Sequence, residues 1–231
     1  MSDALRVCLV GATGLVGGQV IEACVGREDI RLQAIARREV PLPRGIRIEC
    51  FVAEPDKWDE VIEALRPKAI ICALGTTWKK SGDDEAAFRA VDQDLVLATA
   101  RSALDNGVER FVHVSSTGAD IAAKAFYLRV KGEVERELTR MRFGRLDILR
   151  PGLLVGERKN DRRVAERIGI AASPFVNVLL HGRYRQYRGI KAELVARAGL
   201  SLAKRAARGR FVHDNDAIVR AARSLPVLVE E

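Results

Sequence analysis

Long apolar runs are absent from this 231-residue sequence. None approaches the roughly 20 residues that a membrane-spanning helix needs, and the first residues lack the basic segment and apolar stretch of a secretory signal. We therefore expect a cytoplasmic protein with no membrane span. Hydrophobic residues make up 48% of the chain and charged residues 30%, which is typical of a globular domain.

Cysteine and histidine are too few and too scattered to indicate a metal centre. The three histidines show no metal-type spacing, and none of the four cysteines belongs to a Cys-x-x-Cys pair. We therefore predict no metal and no redox pair, and we expect the thiols to be buried and reduced.

The chain carries a formal net charge of +8, but its basic residues are spread out. Basic and acidic residues are interleaved, as in the segment 131–142, which is typical of a solvated helix face. The densest basic region, 183–210, contains few aromatic residues. These features argue against nucleic acid as a partner.

Apolar runs rich in valine and isoleucine alternate with segments of helical periodicity. Strands that are apolar along their whole length are buried on both faces, and the helices between them act as crossovers. The sequence therefore predicts an α/β fold, a doubly wound parallel-sheet Rossmann fold. The predicted strands are Leu5–Val10, Ile30–Ala36, Ile46–Val52, Ala69–Leu74, Arg110–Ser115 and Leu146–Arg150, and the predicted helices are Gly14–Cys24, Asp56–Leu65, Phe88–Asn106 and Phe126–Met141.

The chain changes character after Pro151, where bases become more frequent and strand signals weaker. We predict helices over Glu193–Arg208 and Ala217–Leu225, and a substrate-facing or partner-facing piece over Ser173–Ile190. Residues 1–231 are interpreted as a single domain. Its core spans about residues 4–155, and a small, mainly helical C-terminal lobe spans about residues 156–231.

A glycine-rich loop follows the first predicted strand and opens the first helix. Gly11, Gly14 and Gly17 have the spacing G-x-x-G-x-x-G. Gly11 would allow a sharp turn, Gly14 a close approach of the backbone to a pyrophosphate, and Gly17 close packing of helix on strand. The free N–H groups of the helix would face the anion, and Thr13 adds a hydroxyl. The alternative is a tight turn without a ligand.

The end of the second strand distinguishes the two dinucleotides. An acidic residue there binds the ribose hydroxyls of NAD, but Ala36 takes that place, and Glu39 comes one or two positions late. Arg37 and Arg38 follow instead, and guanidinium groups suit a 2′-phosphate. The sequence therefore predicts NADP(H), with ordinary surface charge as the alternative interpretation of the arginine pair.

A serine, a tyrosine and a lysine follow in an order that suits carbonyl–alcohol redox chemistry. Tyr127 and Lys131 are spaced i, i+4 and share one helix face, and Ser116 follows the fifth predicted strand. The phenol would be the general acid, made more acidic by the ammonium, and the serine hydroxyl would bond the substrate oxygen. The alternative is that Tyr127 packs in the core beside Phe126.

The motifs GATGLVG, CALGTT, VSSTGAD, YLRVK and LRPGLLVG together resemble the short-chain dehydrogenase/reductase superfamily in its extended or atypical branch. Within it, their order looks most like the TIP30-like group of oxidoreductase-like regulators and its bacterial relatives. The resemblance implies Tyr127 and Lys131 as the catalytic pair and Ser116 as the serine, with Ser115 and Thr117 as alternatives. It implies cofactor contacts from Gly11, Thr13, Gly14, Leu15, Val16, Arg37, Arg38, Leu74, Gly75, Thr76, Ser115, Pro151 and Leu153.

The resulting hypothesis is an NADP(H)-dependent oxidoreductase that acts on a small carbonyl or alcohol. An NADPH-binding regulator with a protein partner is one alternative, and a nucleotide-sugar epimerase or dehydratase is another. The stretch after the sixth strand is short for housing a nucleotide sugar, which counts against the last. By family analogy the chain is expected to form a homodimer or a tetramer through helix faces of the kind formed by Phe88–Asn106 and Phe126–Met141.

Overall fold

A parallel sheet of seven strands organises the protein. The computed structural model describes residues 4–46, 48–156 and 188–226. Six strands were predicted, and the structure contains all six, which confirms the doubly wound parallel-sheet Rossmann fold. Its strands are β1 Leu5–Val10, β2 Ile30–Ala36, β3 Glu49–Val52, β4 Ala69–Cys72, β5 Arg110–Val114, β6 Arg145–Leu149 and β9 Gly209–His213, and a separate parallel pair consists of β7 Leu154–Val155 and β8 Ile190–Lys191. The sheet has the order β3-β2-β1-β4-β5-β6-β9, and every neighbouring pair is parallel.

Helices connect the strands as crossovers, and those predicted from periodicity form within three residues of their expected bounds, except that the helix predicted over Glu193–Arg208 ends at Ala203. The longest prediction, Phe88–Asn106, is one continuous run that starts earlier and contains a π-helical turn, Ala90–Asp94. None of the described helices is long and apolar enough to cross a bilayer. The helices are α1 Leu15–Glu22, α2 Trp58–Leu65, α3 Glu85–Arg89, α4 Leu95–Asp105, α5 Phe126–Arg140, α6 Ala192–Ala203 and α7 Asn215–Arg223, with 3₁₀ turns at Pro55–Lys57 and Trp78–Ser81.

The sheet is buried on both faces, as its apolar strands predict. Along β1, Val7 and Leu9 face one core, which α1, α6 and α7 cover. Cys8 and Val10 face the other core, which α2, α4 and α5 cover. Because side chains alternate across a strand, an uninterrupted apolar run supplies both cores at once, and no polar face remains.

The C-terminal segment differs from the predicted helical lobe because it also supplies a strand to the main sheet. β9 pairs with β6 at the sheet edge, and α6 packs directly on the central sheet, with Val195 and Leu200 fully buried. β9 escaped prediction because an edge strand with exposed Phe211 and Val212 lacks a buried apolar run. The predicted piece Ser173–Ile190 lies outside the described residues up to position 187.

Candidate active site

The glycine loop is held against the loop after β4. Gly11 has a positive φ of +92°, and a Cβ at this position would lie 2.5 Å from the carbonyl oxygen of Ala73. A Cβ at Gly17 would lie only 2.1 Å from the carbonyl oxygen of Gly11. Both glycines are therefore required by the backbone itself, because a side chain at Gly11 would clash with the loop after β4 and one at Gly17 would push α1 away from the turn after β1.

The loop leaves the N-terminus of α1 without a side-chain cap. Gly14 is the N-cap residue and provides no capping oxygen, and the first turn contains no acidic residue. The N–H groups of Leu15 and Val16 are thus available to an anion at the positive end of the helix. Thr13 is exposed beside them. The arrangement fits a phosphate, because an empty cap and an uncharged loop leave room for an anionic group.

Arg37 and Arg38 lie next to this loop at the same edge of the sheet. Val10 is in register with Ile35 across β1 and β2, so Gly11 and Arg37 both lie just beyond the carboxyl ends of neighbouring strands. Ligands of open α/β sheets bind in the crevice outside this edge. Both arginines are exposed, whereas Ala36 is buried, so the guanidinium groups are accessible to a ligand in that crevice.

A buried ion pair lies beneath the loop after β4. The Lys131 ammonium is 2.9 Å from Oδ1 of Asp92, and the two side chains are 4% and 0% exposed. The other carboxylate oxygen of Asp92 accepts a 2.7 Å hydrogen bond from the backbone N–H of Thr76. A Cβ at Gly75 would lie 3.8 Å from the lysine nitrogen. Lys131 therefore reaches the segment that the family resemblance assigns to the ribose and nicotinamide.

Tyr127 lies on the same face of α5 as Lys131, as the i, i+4 spacing predicts. The lysine nitrogen is 6.0 Å from the centre of the tyrosine ring. The ring also packs edge-on against Phe88 at 5.7 Å, in a cluster that includes Phe126 and the part-exposed Trp78. Packing and chemistry are compatible here, because the cluster fixes the ring while the lysine lies beside it.

The three hydroxyl residues after β5 have different surroundings. Ser115 is buried, and its hydroxyl donates a 2.5 Å hydrogen bond to Glu135, which also binds Arg150. Thr117 is buried and donates to the carbonyl oxygen of Arg150 at 2.8 Å. Ser116 is only half-buried, and its hydroxyl has a long 3.3 Å bond to the neighbouring carbonyl of Thr117. Ser116 is therefore the hydroxyl that is freest to turn towards a substrate.

Gly132 fixes the loop that carries these hydroxyls against α5. A Cβ at this position would lie 2.3 Å from the backbone carbon of Asp120 and 2.5 Å from the nitrogen of Ile121. The backbone N–H of Asp120 also donates to the carbonyl of Leu128. The loop after β5 is thereby fixed beside the turn of α5 that bears Tyr127 and Lys131.

The loop after β6 closes the same edge of the sheet. Pro151 is buried, and its carbonyl accepts a 2.9 Å hydrogen bond from the N–H of Thr117. Leu153 is exposed, and its carbonyl accepts from Ile190 in the short second sheet. Both residues therefore lie in the loops at the carboxyl edge, where the resemblance places the nicotinamide carboxamide.

His113 is an unusual neighbour of the site. It is fully buried on β5, in register with Cys72 on β4. Neither of its ring nitrogens has a hydrogen-bond partner among the described residues. Burial and the charge of Lys131 lower the pKa of His113 well below its ordinary value, so the imidazole stays neutral and adds no second cation to the pocket.

Sequence reasoning missed three residues that shape the site. Asp92 resembles any polar residue of an amphipathic helix, and nothing in the sequence distinguishes it from the exposed Asp94. Glu135 has the appearance of a solvated helix residue but is buried under Arg150. Gly132 directly follows Lys131, and that glycine within a helical pattern was the one available signal of a close backbone contact.

A model of a protein family described as NAD(P)H-binding matches residues 11–172. The matched region contains the glycine loop, the arginine pair and both Tyr127 and Lys131. The chain belongs to this NAD(P)H-binding family.

Fungal proteins are similar in sequence to most of this chain. A Saccharomyces cerevisiae protein named "Protein FMP52, mitochondrial" is 35% identical over 158 residues, which cover 67% of this chain and 68% of that protein. A protein of the same name from Aspergillus niger is 33% identical over 212 residues, covering 88% and 89%. The names contradict the cytoplasmic location expected above, which is therefore wrong. The first residues of a chain can argue against secretion, but they do not distinguish the compartments within a cell.

Solved structures share the fold at low sequence identity. MoeE5 in complex with UDP-glucose and NAD superimposes with a TM-score of 0.68 at 15% identity, covering 94% of this chain and 81% of that one. UDP-glucose 4-epimerase of Thermotoga maritima has a TM-score of 0.68 at 14% identity, covering 90% and 75%. The likeness shows the Rossmann-type fold alone.

Proposed function

We propose that this protein is an NADP(H)-dependent oxidoreductase of the atypical short-chain type, acting on a small carbonyl or alcohol. The observation that carries the proposal is the position of Lys131. Its ammonium lies beneath the loop after β4 and beside the Tyr127 ring. This position supports the proposal that a nucleotide-binding edge and a proton donor share one crevice. The finer likeness to the TIP30-like group remains a prediction.

The cofactor would lie along the carboxyl edge of the sheet. The glycine loop and the α1 N-terminus would hold the pyrophosphate, and Arg37 and Arg38 the 2′-phosphate. The backbone from 74 to 76 and the loop after β6 would line the ribose and nicotinamide. When bound, the nicotinamide supplies a hydride to the carbonyl carbon or accepts one from the alcohol.

The protein's own residues would move the proton. In the reducing direction, the Tyr127 phenol donates its proton to the carbonyl oxygen while that carbon gains the hydride, which yields the alcohol. Ser116 would hold the same oxygen by a hydrogen bond. The Lys131 ammonium stabilises the phenolate that remains, because an adjacent cation favours the anionic form.

The cofactor is tested by titrating the purified protein with NADPH and NADH in a calorimeter. We expect NADPH to bind more tightly. Arg37→Ala should weaken NADPH binding about tenfold to hundredfold, because a charge-assisted hydrogen bond is lost, and it should leave NADH nearly unchanged. Arg142→Ala is the matched control, since this exposed arginine precedes β6 at the opposite edge of the sheet. Equal binding of both dinucleotides would refute the NADP(H) assignment.

Turnover is tested with Tyr127→Phe in a screen of carbonyls and alcohols that includes UDP-glucose. The variant should bind NADPH like the wild type and lose turnover with every substrate. Binding without turnover in the wild type would favour the regulator instead. Turnover of UDP-glucose alone would favour the nucleotide-sugar enzyme.

A further inference from the structure

The Asp92–Lys131 ion pair is buried, and its two side chains come from different elements of the fold. Lys131 extends from α5, and Asp92 extends from the π-helical turn between α3 and α4. The carboxylate binds the ammonium at 2.9 Å through one oxygen and the Thr76 N–H at 2.7 Å through the other. Single π turns within α-helices occur often at functional sites, and here the turn carries Asp92.

We propose that Asp92 is a positioning residue, which keeps Lys131 cationic and holds it at a fixed point beneath the loop after β4. The inference rests on the proposed function for its catalytic meaning. Its structural content, one carboxylate that joins the ammonium to the cofactor-side loop, rests on the contacts alone.

An ammonium at this depth needs such a partner. Burial on its own lowers the pKa of Lys131, but the adjacent Asp92 carboxylate, together with Tyr127 and Cys72, outweighs burial and raises that pKa above its ordinary value. The other titratable groups that face the lysine are Tyr127 on α5, Cys72 on β4 and His113 on β5. Burial raises the pKa of the Cys72 thiol to about 12 and keeps His113 neutral. Among these groups, Asp92 is the one whose side chain contacts the Lys131 ammonium directly, at 2.9 Å.

The hydrogen bond that Asp92 accepts from Thr76 ties the carboxylate charge to the backbone of the loop after β4. The Thr76 N–H belongs to the loop that directly follows β4, and the preceding Gly75 lies against the pair, since a Cβ there would be in ordinary contact with Oδ1 of Asp92 at 3.5 Å. The same carboxylate therefore holds both the Lys131 ammonium and the backbone of the loop after β4 in place. A neutral amide at position 92 would keep an oxygen for the Thr76 bond while removing the charge.

Asp92→Asn in the full-length protein separates these two contributions. The protein is labelled with ¹³C at the lysine ε-carbons, and the Lys131 signal is assigned by its loss in Lys131→Met. In the wild type we expect this signal to keep its protonated shift through the pH range in which an ordinary lysine titrates, whereas in Asp92→Asn it should titrate well below that range. Asp94→Asn is the matched control, because Asp94 is exposed two positions along the same turn. The Lys131 signal of Asp94→Asn should titrate over the same pH range as that of the wild type.

A cofactor readout distinguishes a charge role from a general structural one. The ratio of the NADPH Kd of Asp92→Asn to that of the wild type should be near one at about pH 6 and rise about tenfold or more by about pH 9, as the lysine loses its proton. Using a ratio removes the titration of the cofactor's own phosphate. A ratio that stays constant with pH, or a Lys131 signal in Asp92→Asn that stays protonated to about pH 10, would overturn the proposal.

Misfolding and failure of the proposed function remain distinguishable. If Asp92→Asn does not fold, the double variant Asp92→Asn/Lys131→Met should fold, because it carries no unpaired buried charge. An unfolded double variant would overturn the proposal. If the wild type binds no NADPH, the proposed function fails, and the Lys131 titration still decides the role of Asp92.

Discussion

Gly17→Ala and Gly18→Ala make the same chemical change at adjacent positions of α1, and we expect opposite results. A Cβ at Gly17 would lie 2.1 Å from the Gly11 carbonyl oxygen and 2.9 Å from the Cα of Ala12. Both neighbours are backbone atoms, so neither can rotate away. At Gly18 a Cβ would meet nothing within 4 Å.

The magnitudes follow from these contacts. At Gly17 the helix must move by roughly 1 Å to restore an ordinary carbon–oxygen contact, and overpacking of this kind costs about 1–3 kcal/mol. For a protein of this size the Tm should fall by about 2–12 °C. At Gly18 alanine costs nothing in space and lowers the entropy of the unfolded chain, so stability should rise by about 0.5–1 kcal/mol.

Urea denaturation followed by circular dichroism measures both effects, and an NADPH titration accompanies it. Gly17→Ala should also weaken NADPH binding, because the helix N-terminus moves away from the loop, whereas Gly18→Ala should bind like the wild type. Equal stabilities of Gly17→Ala and the wild type would refute the reasoning, and so would a loss of stability in Gly18→Ala that matches the loss in Gly17→Ala.

Three further predictions concern stability and reactivity. Arg145→Met should cost about 3–5 kcal/mol in urea denaturation, because Arg145 binds the buried Asp147 through two nitrogens and its removal leaves that carboxylate short of a cation; a cost below 1 kcal/mol would contradict this. Only Cys50 should react quickly with a thiol reagent in the native protein. Partial burial raises its pKa as well, but it is half-buried and within reach of the reagent, whereas the other three thiols are buried and their pKa is raised to about 12; two fast thiols would disprove it. Partial burial acts to raise the pKa of Asp29, but hydrogen bonds from Arg27 and Lys204 hold that pKa at about 2. The wild type should therefore lose more stability than Asp29→Asn between about pH 4 and pH 2. Parallel losses in the two proteins would argue against that ion pair.

The central strands could be predicted from the sequence because a strand buried on both faces consists almost entirely of apolar residues. β1 and β4 are apolar at nearly every position, and such short apolar runs are typical of strands that helices cover on both faces of a parallel sheet. β9 carried no such signal, because one side of an edge strand faces solvent. β9 forms because its backbone pairs with β6. A local sequence pattern cannot predict this pairing, because the two strands are far apart in the chain.

The site divides in the same way. Gly11 and Gly17 could be predicted because a fixed spacing after a strand has one geometric solution, and Tyr127 and Lys131 because helical periodicity places them on one face. Asp92 could not, because its burial depends on the approach of α5 to the turn before α4. Residues that act through long-range packing leave no spacing to recognise.

The pairing of β6 with β9 has a consequence during synthesis of the chain. Arg145 pairs with Gly209, and the sheet face that α6 covers stays open until about 60 further residues have been made. At about 5–20 residues per second, the nascent chain exposes that apolar surface for about 3–12 s. A chain that stalls or is cut in this interval would present a hydrophobic sheet with an open edge, which can pair with other chains and aggregate.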